Sequence, residues 1–457
     1  MLSPERNKVL TEVSAGTPMG EMIRRYWVPA VLSEEVEANG RPIRLRLLGE
    51  DLVAFRDDAG KVGILESLCP HRKAPLYFGR NENGGLTCIY HGWKFSTTGE
   101  CLQMPNVPKE TRFCDRVHIR WYPTQELNGI VWTYMGPREE MPDALPPLDF
   151  VHVPENYRLI TKQRIDANWA QVLEGDFDPS HISFLHGKEE AYREFMNRDS
   201  DIPADDDVPE PEDGKLTGEL ERYYWRREPW PKLAVMQTPY GMFSGARRDA
   251  GPNTHYYRFN QFILPFFAGP PGEHDEPQQC NIWVPMDDRT TIVWRVSYNL
   301  DHPLTQDELD VLLGGHGAHV PPDGYRDPDG TPESRWVPKL GRDNDYGIDF
   351  DDNPHGYFAG IVGIWAQDRA CTEGMGAILD RSTERLVSSD AAVSMVRRIL
   401  LRTAQSLAED GTSPPSQDTF PTTAAIPNML TARTANWEQI SADMYERQSG
   451  QSIEARA

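Results

Sequence analysis

Four residues in the first quarter of the chain have types and spacing suited to holding metal: Cys69-Pro70-His71, then sixteen residues, then Cys88-Ile89-Tyr90-His91. Each arm offers one thiolate and one imidazole. Structural zinc also accepts two sulfurs and two nitrogens. Zinc-finger order, however, puts both cysteines in one arm and both histidines in the other. The mixed order suits a two-iron, two-sulfide cluster in which two thiolates hold one iron and two imidazoles the other. Two β-hairpin loops, each giving one ligand to each iron, would meet that demand. Neutral imidazoles in place of thiolates raise the reduction potential. The site therefore reads as an electron relay of the Rieske type, with zinc as the alternative.

A second group follows in Asn168–His186, where Asp178, His181 and His186 stand as D-x2-H-x4-H. At about 100° per residue, Asp178 and His181 share a helix face, whereas His181 and His186 diverge by about 140°. Both reach one metal only if the helix ends or widens between them, as a π-type turn would allow. An irregularity is therefore expected between Ser180 and His186. Two imidazoles and one carboxylate form the facial set of non-haem Fe(II) oxygenases, which leaves positions open for dioxygen and substrate. A hydrogen-bonded core pair is the plainer reading of the histidines alone. A redox cluster in the same chain favours iron, because oxygen activation at a lone ferrous ion needs electrons from elsewhere.

These groups need a scaffold. At roughly 100–200 residues per domain, 457 residues imply two or three folding units. Ser3–Trp27 reads as one or two short helices broken near Gly16-Thr17-Pro18. From Arg41 a period of two sets in, and Asp57-Asp58-Ala59-Gly60 joins two runs as a hairpin. A β-rich unit closes near Gly136, and the proline-rich stretch to Pro154 reads as a connection. Strand-like runs between Leu216 and Leu300 predict an antiparallel sheet, and later segments turn helical. The acidic stretches Asp201–Asp213 and Asp343–Asp352 read as solvated loops. A net charge of −23 disfavours nucleic acid. No run has the length of a membrane span. With six cysteines and no export signal in the first thirty residues, a reducing cytoplasm is expected. Cys101, Cys114, Cys280 and Cys371 show no ligand pattern and read as buried free thiols.

The chain resembles the Rieske non-haem iron aromatic-ring-hydroxylating oxygenases, catalytic (α) subunit, from about Trp27 to about Leu400. It is most similar to the phthalate 4,5-dioxygenase-like branch. The likeness rests on IRRYWVPA, CPHRKAPLYFGRNENGGLTCIYHGWKFSTTG, LEGDFDPSHISFLH, VPMDDRTTIVWRVSY and AQDRACTEGMGAILDRSTERL. The fold this implies is α+β. N-terminal helices over 1–26 pack on the catalytic domain, an all-β Rieske [2Fe–2S] domain spans 27–138, and a catalytic domain spans 139–457. The catalytic domain has a central antiparallel β-sheet flanked by helices, a START-like helix-grip.

Carried over by position, Cys69 and Cys88 hold one cluster iron and His71 and His91 the other, while His181 and His186 hold the mononuclear Fe(II). The resemblance makes Asp178 a bridge between a cluster histidine and a mononuclear-site histidine across a subunit contact. It places the third iron ligand at Asp368, one of seven downstream aspartates and the one set among apolar residues. Implied with it are O2-dependent dihydroxylation, or monooxygenation with O- or N-demethylation or ether cleavage. A separate NADH-dependent flavin/iron-sulfur reductase and a head-to-tail trimer or hexamer are implied too. Arg247 and Arg248 follow PYGMFSGA where relatives grip aromatic carboxylates, so they are the candidates for binding an aromatic acid. The competing classes are a plain Rieske electron carrier and a zinc protein. The carrier leaves about three hundred residues and the second motif unexplained, and metal and sulfide analysis separates all three.

Overall fold

The computed structural model describes residues 1–197, 208–209, 211, 215–327 and 332–449, so most of the acidic stretch 201–213 lies outside the described residues. The other acidic stretch, Asp343–Asp352, is mostly exposed.

Two short helices open the chain, α1 (Pro4–Thr11) and α2 (Pro18–Ile23). Each starts as its sequence dictates. Ser3 accepts from the Arg6 N–H and Thr17 from the Gly20 N–H, with Pro4 and Pro18 supplying a preset φ at the first helical position. Leu10, Met19, Met22 and Ile23 are buried, and both helices pack against a long helix near the C-terminus.

The N-terminal lobe is built from β1 (Trp27–Leu32), β2 (Ile43–Leu47), β3 (Glu50–Arg56), β4 (Val62–Glu66), β5 (Arg80–Glu82) and β6 (Gly85–Thr87). It continues with β7 (Lys94–Phe95), β8 (Cys101–Gln103), β9 (Trp121–Tyr122), β10 (Thr124–Leu127) and β11 (Ile130–Tyr134). They form three small sheets, ordered β1-β11-β10, β2-β3-β4-β9 and β5-β6-β7-β8. The β3–β4 hairpin turns where expected, with Asp57 Oδ1 accepting from the N–H groups of Ala59 and Lys61. Val53, Phe55, Leu65, Leu76, Leu86 and Phe95 close a separate small core beneath the β5–β8 sheet.

The C-terminal lobe is organised by an eight-stranded sheet. Its strands are β12 (Arg158–Ile165), β13 (Lys232–Thr238), β14 (Gly241–Asp249), β15 (Thr254–Ile263), β16 (Phe267–Gly269), β17 (Gln278–Pro285), β18 (Thr291–Tyr298) and β19 (Met429–Ala432). The order is β12-β18-β17-β16-β15-β14-β13, antiparallel throughout, with β19 paired to β15. Between and after these strands come α3 (Asp149–His152), α4 (Trp169–Gly175), α5 (Glu189–Met196), α6 (Gly218–Arg227) and α7 (Gln306–Leu313). The last helices are α8 (Pro332–Arg335), α9 (Ile364–Gly374), α10 (Ala391–Asp410) and α11 (Trp437–Ser449). One large hydrophobic core runs from α1 and α2 through β1 and β11 to the sheet and α10, so the two lobes are joined by burial as well as by chain. Among the described residues no helix is long and apolar enough to cross a membrane.

Candidate functional site

The turn after α4 decides how two histidines meet. The helix begins at Asn168, whose Oδ1 accepts from the Ala170 N–H at 3.1 Å, and it ends at Gly175. Asp178 Oδ1 then accepts from the N–H and hydroxyl of Ser180, at 2.9 and 2.7 Å, and from the His181 N–H at 3.3 Å. That clamp starts a short 3-10 turn, His181–Ser183. The expected irregularity is therefore an ended helix followed by a 3-10 turn, with no π-turn.

The result brings His181 Nε2 to 3.1 Å from His186 Nε2. Asp368, on α9, places Oδ1 at 3.3 Å from His186 Nε2 and 3.9 Å from His181 Nε2. Hydrogen bonds on the far side of each ring fix which nitrogens are free. His181 Nδ1 lies 2.6 Å from the main-chain oxygen of Asp178, which can only accept. His186 Nδ1 lies 2.7 Å from Gln367 Oε1, and the Gln367 amide is oriented by its own donation to Ile361 O at 2.8 Å. Both Nδ1 atoms thus carry hydrogen; burial holds the His181 ring below its usual pKa, whereas the Asp368 carboxylate overcomes burial and raises that of His186. Both Nε2 atoms and a carboxylate oxygen then converge on one point, a cluster of acceptors that a proton on His186 or a metal cation would satisfy. The donor set, N2O with no sulfur, fits ferrous iron.

Above this group lies a cavity of about 550 Å³. Its sheet wall carries Arg258 and Asn260 of β15, Asn281 and Trp283 of β17, and Arg295 of β18. Alternation along each strand puts these i and i+2 pairs on one face. Arg295 Nη2 is 3.8 Å from Asp368 Oδ2 and its guanidinium lies 4.9 Å from the Trp283 ring centre. Asp176 also lines the cavity, accepting from Asn281 Nδ2 at 3.0 and 3.1 Å and from Trp283 Nε1 at 2.6 Å. Burial pushes its carboxyl up to about 6 against the pull of Arg295. At one end Glu174 is held between Arg381 and Arg397, at 3.0 and 2.6 Å. Burial opposes its charge, yet the two guanidiniums hold its carboxyl below the ordinary range.

Arg247 and Arg248, the arginines singled out from the sequence, do not line this cavity. Arg248 is buried with Nε on Glu228 O at 2.9 Å and Nη2 on Pro179 O at 2.8 Å, so two of its three nitrogens serve the main chain. Arg247 is half-buried on β14, opposite Lys232 and Tyr257. Of the aromatic side chains near the sheet, Trp283 reaches the cavity, while Phe262 packs against Phe177 and Phe243 against Phe259. The sequence reading missed Arg258, Arg295 and Gln367. A charged residue inside the otherwise apolar runs HYYRFNQF and IVWRVSY was the available signal for the first two.

In the other lobe, Cys69 and Cys88 sit in matching turns. The Cys69 N–H donates to Ala74 O and the Cys88 N–H to Trp93 O, at 2.9 and 2.8 Å. In each turn the fourth residue after the cysteine donates back to it, from Lys73 (φ 55°) and Gly92 (φ 73°). Gly92 is needed for space as well, because a Cβ there would lie 2.6 Å from Pro105. Both cysteines are buried, at 1% and 2% exposure, while His71 and His91 stand half-buried at the rim with ring centres 4.4 Å apart. Trp93 stacks on His71 at 4.4 Å and donates from Nε1 to Asn106. Burial pushes the Cys69 thiol up to about 11, so a cation is what would make it a thiolate.

A single tetrahedral zinc would need all four ligand atoms within about 4 Å of one another. Among the described residues, only His181, His186 and Asp368 gather three such atoms within 4.8 Å. The wider cysteine–histidine set fits two metal ions, sulfurs inward and nitrogens outward.

Residues 26–123 match the Rieske [2Fe-2S] domain family, and residues 133–199 and 221–457 match the LigXa C-terminal domain like family. The chain is 37% identical over 443 residues to the 3-chlorobenzoate-3,4-dioxygenase oxygenase subunit of Comamonas testosteroni, covering 94% of this chain and 96% of that one. It is 36% identical over 428 residues to the phthalate 4,5-dioxygenase oxygenase subunit of Pseudomonas putida, covering 88% and 86%. Its fold is shared with dicamba monooxygenase bound to dicamba, with a TM-score of 0.53 and 17% identity, over 84% of this chain and 98% of that one.

Proposed function

This chain belongs to the Rieske non-haem iron aromatic-ring-hydroxylating oxygenases, as a catalytic subunit of the phthalate 4,5-dioxygenase-like branch, and on that premise we propose that it oxygenates an aromatic carboxylate. The enzyme is a Rieske dioxygenase or monooxygenase whose cofactors are a [2Fe–2S] cluster and a mononuclear iron. When bound, the cluster supplies electrons and the iron activates dioxygen, chemistry the polypeptide lacks on its own. In this reading Cys69 and Cys88 hold one cluster iron, His71 and His91 the other, and His181, His186 and Asp368 the mononuclear iron. Asp178 links the two sites between neighbouring subunits of a head-to-tail trimer. Electrons come from a separate NADH-dependent flavin/iron-sulfur reductase.

The chain's own share is binding and orientation. Gln367 and the Asp178 carbonyl keep hydrogen on Nδ1 of each histidine, so Nε2 is the nitrogen each ring turns toward Asp368. Arg295 draws Asp368 Oδ2 to its side and leaves Oδ1 toward the histidines. The observation that carries the substrate reading is the pair Arg258 and Arg295 on the sheet wall of the cavity above that group. Guanidinium forks grip a carboxylate by paired hydrogen bonds, and Trp283 beside them offers a flat apolar face for a ring. Asp176, Asn260 and Asn281 line the same cavity, so its wall is polar rather than wholly apolar.

The test is a panel of phthalate, substituted benzoates and phenoxybenzoates beside their neutral amides, run with a compatible reductase and mass detection of oxygenated product. Acids are expected to be turned over and amides to be poor substrates. Arg258→Met should raise KM for the acids by roughly 10–100-fold, the range for one charge-assisted contact, and leave the amides unchanged. Equal turnover of acids and amides by the unaltered enzyme would remove the carboxylate from the reading.

A further inference from the structure

We propose that Cys101 and Cys114 are a peroxide-sensitive dithiol that closes reversibly to a disulfide on the cluster lobe. The sequence gives no motif for such a pair, and nothing in the oxygenase chemistry above uses it. Yet Cys114 Sγ lies 2.8 Å from Cys101 Sγ, and its S–H also faces Cys101 O at 3.0 Å. A disulfide bond is about 2.05 Å long, so about 0.8 Å remains to be closed.

The main chain on both sides sets this approach. Cys101 lies on edge strand β8, opposite Phe95, and its N–H donates to Val117 O at 3.3 Å. Cys114 opens a 3-10 turn, Cys114–Arg116, that Val117 closes by donating to Cys114 O at 3.1 Å. Just outside the pair, Glu100 bridges His118 and the Ile119 N–H donates to Gly99 O. The two segments therefore run together, and the sulfurs face each other between them. Both cysteines are half-buried, open enough for a molecule of peroxide size.

The chemistry balances with hydrogen peroxide as the oxidant. The Cys114 sulfur attacks one peroxide oxygen, the O–O bond breaks, and Cys114 becomes a sulfenic acid as one water leaves. The Cys101 sulfur then displaces hydroxide from Cys114, the S–S bond forms, and the thiol proton leaves with that hydroxide as a second water. Each sulfur gives up one electron overall, and the peroxide is reduced to two waters. Burial pushes the Cys101 thiol up to about 12, which keeps it neutral. The location gives the bond a consequence. The loop it closes carries Pro105, which abuts Gly92, and Phe113, whose ring packs at 6.4 Å on Trp93, the residue stacked on His71.

The test uses the holoenzyme, treated with a few equivalents of hydrogen peroxide, then alkylated and cut with trypsin. The disulfide should join the peptides Phe95–Lys109 (FSTTGECLQMPNVPK) and Phe113–Arg116 (FCDR), and dithiothreitol should release both. Cys101→Ser should leave a dimedone-reactive sulfenic acid at Cys114, and Cys114→Ser should leave Cys101 open to alkylation after the same treatment. Recovery of the two wild-type peptides singly alkylated after peroxide would overturn the proposal. So would a linked pair that forms equally without added peroxide, or one that resists dithiothreitol.

Discussion

Gln367 Oε1 sits 2.7 Å from His186 Nδ1, and the same amide is pinned by its nitrogen 2.8 Å from Ile361 O. Gln367 is fully buried and precedes Asp368 on α9, so one turn of helix supplies both a carboxylate and the group that orients the facing imidazole. Replacing Gln367 with Leu removes the acceptor and frees the ring to rotate. Affinity for ferrous or cobaltous ion should fall by roughly 10–100-fold, read by chelator competition, while Gln367→Glu restores most of it. An unchanged metal affinity in the Leu variant would show that the amide has no such role.

The two metal sites should be separable by analysis. Intact protein is expected to hold about three irons and two acid-labile sulfides per chain. Asp368→Ala should keep the red-brown colour and about two irons, and Cys88→Ser should lose the colour and keep about one. Loss of all iron from both variants would mean that the sites are not independent.

Glu174 pairs with two buried arginines, Arg381 at 0% and Arg397 at 5% exposure. Arg397 has Glu384 as a second partner at 2.6 Å, while Arg381 has no other carboxylate in an ion pair among the described residues. Glu174→Ala should therefore destabilise the fold by about 3–5 kcal/mol, the usual cost of leaving a buried charge unpaired. Denaturant unfolding would measure it. A loss below about 1 kcal/mol would show that water or Glu384 compensates.

His319 is buried between Thr161 Oγ1 and Ser297 Oγ, each at 2.8 Å. Burial, with Arg295 nearby, lowers its pKa from 6.5 to about 3. The folded state therefore binds the proton less readily than the unfolded chain does. The stabilising effect of the neutral ring is complete above pH 6.5 and is lost as pH falls toward 3, by roughly 1.4 kcal/mol per unit. His319→Asn should be less stable at pH 7 but show a shallower fall between pH 6 and 4.5. Parallel curves for the two proteins would contradict the assignment.

What could be read from residues alone was what short stretches of chain fix for themselves. Cys69, His71, Cys88 and His91 lie on two turns whose hydrogen bonds close within five residues, so type and spacing suffice to declare a metal cluster. The helix caps at Ser3 and Thr17 and the Asp57 hairpin are local in the same way. His181 and His186 were legible as a pair, but the 3-10 turn that aims them depends on the Asp178 clamp, and a helical projection could say only that something must break.

Other features were settled by contact between distant segments. Asp368 was singled out from seven aspartates by the resemblance and its apolar neighbours, but its place beside the histidines is set by the packing of α9 against α4. A strand pattern tells which residues share a face, but which face is inward depends on what covers the sheet. Arg258 and Arg295 therefore reach the cavity, while Arg248 gives two of its nitrogens to main-chain carbonyls. Cys101 and Cys114 had no spacing worth noticing until two neighbouring segments were laid side by side. Local hydrogen bonding writes itself into sequence because its partners are close along the chain. Burial and cross-strand proximity do not, because their partners are chosen by the fold as a whole.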